Sequence, residues 1–201
     1  YTPIQPLKEI INITQSSYVE LIYYRDRIEQ ICQTLEGRDH HFSADVRDKL
    51  EHSLIDYFAV STTSHSSPER LERCVNGLGK ICEEIAQIWH EYCQKKGLVK
   101  GGDTKFATRA SQISSAWEKY RGDAVSGKLD SKNSAVANGV LPTLVTDTHL
   151  AAMRVYRNLA SHGTRFYEYS KQDARLALDL TLMILERMSQ SEIIGFSESE
   201  E

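Results

Sequence analysis

Arg154-Val155-Tyr156-Arg157-Asn158-Leu159-Ala160-Ser161-His162-Gly163 is the stretch on which the reading of this chain turns. Leu150, Met153, Tyr156 and Leu159 recur at helical spacing, Thr146 or Asp147 is a suitable N-cap ahead of them, and Gly163 is the residue expected just past the C-terminus. Two arginines, an asparagine and a histidine therefore crowd into the last turn of one helix. Asn158 and His162 are four apart and share a face. Arg157 is five residues from His162, about 140° round an ideal helix, and comes within reach if the last turn tightens. Arginine offers a permanent forked cation for a phosphate, asparagine a donor and an acceptor, and histidine a proton that moves near neutral pH. Together they are the parts of a phosphodiester-cleaving site that needs no metal.

Arg157-Asn158-Leu159-Ala160-Ser161-His162 resembles the R-N-x-x-x-H form of the R-x(4 to 6)-H motif of the HEPN superfamily. The sequel is similar too: a short connection from Gly163 to Lys171, then a last amphipathic helix from Gln172 to Met188. The resemblance runs from about Asp147 to Met188, and the rest of the chain matches only as further helices. It implies an all-α bundle of five to six helices. Its catalytic members are metal-independent endoribonucleases working as dimers, with one composite cleft built from both motifs; others serve as non-catalytic scaffolds. In the toxin branch that pairs with nucleotidyltransferases a tyrosine stands two positions after the histidine. Here that place is Thr164, which sets the chain apart from that branch.

The 201 residues suit one HEPN-like domain over 1–201, and a first residue of Tyr1 rather than methionine reads as a piece of a longer protein whose other domains are potential partners. With 40% apolar and 26% charged residues the composition is ordinary. No apolar run approaches the ~20 residues of a membrane span, so no membrane is expected. A net charge of −4 excludes a generic nucleic-acid-coating surface. Between His149 and Arg175, however, Arg154, Arg157, Arg165, Lys171 and Arg175 stand against only Glu168 and Asp173. Phe166, Tyr167 and Tyr169 are interleaved with them, a mixture suited to phosphate contact and base stacking. Cys32, Cys74, Cys82 and Cys93 form no C-x-x-C pair and follow no leader-like segment, so reduced thiols inside the cell, in cytoplasm or nucleus, are the simplest reading.

Working outward, Leu7, Ile10, Ile11, Thr14, Tyr18, Leu21, Ile22, Arg25, Ile28, Ile31 or Cys32 and Leu35 predict one long helix up to Gly37, with a break near Gln15–Ser17. Gly37–Phe42 reads as a loop whose His40-His41 lacks metal partners, and Ser43 as the cap of a helix through Val46, Leu50, Leu54, Ile55 and Phe58. Ser67-Pro68-Glu69 starts a third helix. It carries Leu71, Cys74 or Val75, Leu78, Ile81 or Cys82, Ile85, Ile88 or Trp89 and Tyr92 to a stop at Lys95-Lys96-Gly97, and Gly77 and Gly79 on it would loosen the helix or admit another closely. A fourth helix spans Thr104 to about Tyr120, with Arg109 and Arg121 available to the basic face. The stretch 122–145 reads as a long irregular loop, a lid beside the site, in which Gly127-Lys128 lacks the frame of a phosphate-binding loop. Ser170 with Asp173 caps the last helix, where Leu176, Leu180, Met183 and Ile184 form the apolar stripe. Residues 191–201 read as a frayed acidic tail.

The expected activity is RNA cleavage without metal or cofactor, with Arg157, His162 and Asn158 catalytic and Arg154, Arg165, Tyr167 and Lys171 holding RNA. The partners implied are RNA and a second copy of the chain. The alternative is a non-catalytic helical interaction module in which Arg157 and His162 only cap their helix.

Overall fold

In the computed structural model the described residues, 15–62, 68–101, 105–126, 145–161 and 167–195, form six α-helices and no strand. These are α1 (Gln15–Glu36), α2 (His40–Thr62), α3 (Pro68–Lys95), α4 (Phe106–Val125), α5 (Thr146–Ser161) and α6 (Lys171–Ser189). The described residues adopt the expected all-α bundle of five to six helices.

α3 is the axis of the bundle. Thirteen of its 28 residues are buried, and it packs against α2, α4, α5 and α6. A helix that touches four others needs a wide apolar face, which Leu71, Cys74, Val75, Leu78, Ile81, Cys82, Ile85, Trp89, Tyr92 and Cys93 supply. Proline at its first position removes no needed donor, and Gly97 (φ 69°) ends the segment in the left-handed region. Trp89 meets Trp117 of α4 edge to face, with ring centroids 5.3 Å apart. Burial pushes the thiols of Cys74, Cys82 and Cys93 up to about 12 and that of Cys32 up to about 11, so none is a ready nucleophile.

Several boundaries differ from the sequence reading. The turn between α1 and α2 is only Gly37–Asp39, and His40 and His41 open α2 instead of lying in a loop. Asp39 caps it, its carboxylate accepting from the Phe42 amide at 2.9 Å. Ser43 is not the cap. It lies inside α2, buried, and donates to the Cys32 carbonyl at 2.8 Å. α4 continues to Val125, which removes the first residues of the predicted 122–145 loop; residues 127–144, and the lid reading with them, lie outside the described residues. Residues 191–195 are docked: Ile193 and Ile194 are buried, and Arg38 donates from Nη1 to the Ser191 carbonyl at 2.6 Å. The remainder of the predicted tail lies outside the described residues, as does the part of the first helix before Gln15.

The buried face of α6 is only partly the predicted one: Ile184 is buried and Leu180 packs against the core, as expected. Ala174, Ala177, Leu178, Thr181, Leu182, Ile184, Leu185 and Met188 face the bundle, while Leu176 and Met183 are exposed. Small residues on the inner face let α6 approach α3, and Thr181 satisfies its hydroxyl on the Ala177 carbonyl. The predicted Ser170–Asp173 capping box is present with both of its reciprocal bonds. Among the described residues no helix is long and apolar enough to cross a membrane.

Candidate functional site

α5 is tied in place at both ends. Near its start Asp147 is 1% exposed and accepts from Arg121 Nη2 on α4 at 3.1 Å. Asp147 is therefore a buried anchor rather than a cap, and Arg121 is engaged there rather than on a basic face. Leu150 and Met153 bury against the core in the middle of the helix.

At the far end, one turn after Met153, Arg157 crosses the axis helix. Its stem lies on Gly79: a Cβ at that glycine would fall 2.4 Å from Arg157 Cγ, 2.5 Å from its Cβ and 3.3 Å from its Cα. No residue but glycine leaves room for this contact. The guanidinium then reaches Glu83, one turn further along α3, and Nη2 donates to Glu83 Oε2 at 2.9 Å. The two side chains are 25% and 32% exposed, so the pair lies at the edge of the interface, where solvent reaches it.

Asn158 is the next residue and Arg154 lies one turn back, both half-buried. Arg154 Nε is buried with no hydrogen-bond partner among the described residues. Arg154, Arg157 and Asn158 are thus brought together within about one turn. His162, Arg165 and Gly163 lie outside the described residues.

The segment after the motif returns to the same helix end. Tyr169 donates its hydroxyl to the Tyr156 carbonyl at 2.6 Å, which pins the segment after the motif to α5. Tyr167 packs edge to face on Tyr169, with ring centroids 5.1 Å apart, and remains 40% exposed. Its hydroxyl donates to Asp173 at 2.9 Å, which pushes the phenol up to about 12. An exposed ring fixed at its hydroxyl end is suited to stacking. Lys171 is not drawn into this group. Its ammonium lies over the Tyr57 ring of α2, 5.3 Å from the centroid, whereas Arg157 meets α3.

Gly79 and Glu83 are the residues of this site that motif reading alone does not reach. The signal was present: a glycine inside the most strongly amphipathic helix marks a close approach, and the carboxylate at i+4 shares its face. Among the described residues no three histidine, cysteine or acidic side chains are grouped as a metal site. Compared with known proteins, the chain matches no family model, no curated protein and no solved structure.

Proposed function

We propose that this chain is a metal-independent RNA endonuclease of HEPN type, acting inside the cell. The observation that carries the reading is the fixed, partly exposed Arg157 guanidinium at the motif end of α5, with Asn158 and Arg154 in the same turn. In the reaction the ribose 2′-oxygen bonds to phosphorus as its proton passes to a base. The bond from phosphorus to the 5′-oxygen breaks, and that oxygen takes a proton from an acid. The products are a 2′,3′-cyclic phosphate and a 5′-hydroxyl. His162 supplies the proton, Arg157 stabilises the charge on the phosphorane oxygens, and Asn158 orients the phosphate. Arg154, Arg165 and Tyr167 hold the flanking nucleotides, while Lys171, turned to Tyr57, takes no part. A chain with one motif histidine obtains a second from its two-fold mate, so the working form is a homodimer with a composite cleft.

The Arg157–Glu83 pair also favours a second reading, a non-catalytic helical interaction module. An arginine that joins α5 to α3 serves a scaffold as well as it serves a nuclease.

The two separate on a labelled single-stranded RNA incubated with purified protein in EDTA. Arg157→Lys keeps the stem and the charge but loses the fork, and His162→Ala removes the acid. Cleavage leaving a cyclic phosphate, and lost in both variants at unchanged circular dichroism, is the expected result. No cleavage by the dimer, or cleavage indifferent to both substitutions, leaves the interaction module.

A further inference from the structure

The nuclease reading gives Arg157 its task and leaves open how a long, flexible side chain meets it. We infer that Glu83 is a positioning residue of the site: its carboxylate fixes the Arg157 guanidinium so that the fork is aimed at the phosphate before RNA arrives. The inference rests on the nuclease reading.

Three observations carry it. The first is the hydrogen bond itself, from Arg157 Nη2 to Glu83 Oε2 at 2.9 Å, between helices whose paired residues are 74 apart in sequence. The second is the contact beneath it. Arg157 Cβ and Cγ rest on the bare backbone at Gly79, so the stem is immobilised as well as the head. Fixing the stem and one edge of the head removes the rotamer freedom that a guanidinium otherwise loses when it binds its ligand. The third is where the pair lies. Both side chains are partly exposed, and Arg157 shares about one turn of α5 with Asn158 and Arg154.

A pair made only to join two helices gains from complete burial of the stem over any small side chain. Here the contact stands on a glycine inside α3, a residue that weakens a helix interior. The return for that weakness is depth: the guanidinium is held close against α3 instead of extending into solvent. Arg157 Nε is buried, but Nη2 carries a second N–H besides the one given to Glu83 and the side chain is 25% exposed, so a bond to Glu83 and contact with a phosphodiester are compatible. The neighbouring carboxylate also disfavours idle capture of free anions. The cation is then matched best by the extra negative charge that appears only as the phosphorane forms.

The test uses the full chain and labelled single-stranded RNA, with Glu83→Ala and Glu83→Gln beside the wild type. It adds a readout independent of activity, the 15N-edited NMR signal of the Arg157 side chain. Glu83→Ala is expected to lower kcat about 100-fold with KM within a few-fold, the scale set by small misplacements of a reacting group. It should also mobilise the Arg157 signal. Glu83→Gln keeps an oxygen acceptor at the same place and is expected to restore kcat to within about tenfold of wild type, with the Arg157 signal again restrained. Full kcat in Glu83→Ala overturns the inference, as does an Arg157 signal that ignores the substitution. Glu83→Gln as inactive as Glu83→Ala also overturns it, by showing that the carboxylate takes a proton instead of holding an arginine. A wild-type protein that cleaves no RNA overturns the nuclease reading and this inference with it, an outcome distinct from all the others.

Discussion

Gly79→Ala sets two effects of opposite sign against each other. In an exposed helix interior, alanine in place of glycine stabilises by about 1 kcal/mol. At Gly79 the new Cβ would lie 2.4 Å from Arg157 Cγ and 2.5 Å from Arg157 Cβ, where unstrained carbon atoms sit at roughly 3.5–4.0 Å. Rotating the guanidinium does not relieve the clash, because Arg157 Cβ is fixed to its backbone and Cα itself is 3.3 Å away. α5 must therefore retreat from α3 by about 1 Å, and such overpacking costs about 1–3 kcal/mol. With a backbone-deep clash the upper part of that range applies, leaving a net loss of about 1–2 kcal/mol. For a chain of this size the melting temperature falls by about 2–4 °C per kcal/mol, so a drop of about 2–8 °C is expected by calorimetry. Gly122→Ala is the control, since nothing lies within 4 Å of its added Cβ, and it should raise the melting temperature slightly. Arg157→Ala combined with Gly79→Ala should recover only part of the loss, because the contact at Arg157 Cβ persists. A Gly79→Ala protein that melts higher than wild type would refute the close approach of Arg157, and with it the geometry of the site.

Asp147→Asn leaves Arg121 facing a neutral partner at a nearly buried position; a loss of about 1–3 kcal/mol is expected, read as a lower urea midpoint at unchanged slope. Ser170→Ala removes half of the capping box and should cost about 1 kcal/mol at neutral pH. Burial pushes the Asp173 carboxyl up but is outweighed by hydrogen bonds from Ser170 and Tyr167, so it sits below the usual range. A depressed carboxyl stabilises the fold above its unfolded pKa and loses that contribution as pH falls through the folded one. The melting temperature should therefore fall in acid, and less steeply in Ser170→Ala than in wild type. The four buried thiols should resist a thiol reagent at pH 8 in the native protein and react once it is unfolded. Rapid native reaction at Cys74, Cys82 or Cys93 would show that α3 opens.

What the sequence disclosed follows from how local each signal is. The helix starts at Pro68 and Ser170 and the stop at Gly97 are fixed within a few residues by backbone chemistry, and they stand where the pattern put them. The α3 stripe was legible because a helix buried on several sides has few ways to arrange its apolar residues. The face of α6 was misread in part because pattern reading weighs large side chains, whereas close helix packing rewards Ala174 and Ala177 and left Leu176 and Met183 outside. Asp39 and Ser43 both have capping chemistry. The choice between them was made by the Cys32 carbonyl, an acceptor on another helix that no local window contains.

The candidate site divides in the same way. Arg154, Arg157 and Asn158 are neighbours in sequence, so their clustering needed only a helix. Glu83 joins them through a tertiary contact that only the packing of α5 on α3 creates. Because the stem of Arg157 lies on Gly79, one contact sets both the distance between two core helices and the position of the cation. Substitutions at Gly79 should therefore lower stability and activity together. Asn158→Ala should separate the two, since its half-buried side chain is expected to cost activity while leaving the melting temperature within a few degrees. Were stability and activity to fall in step at Asn158 as well, the cluster would belong to the scaffold and the interaction module would be the better account of this chain.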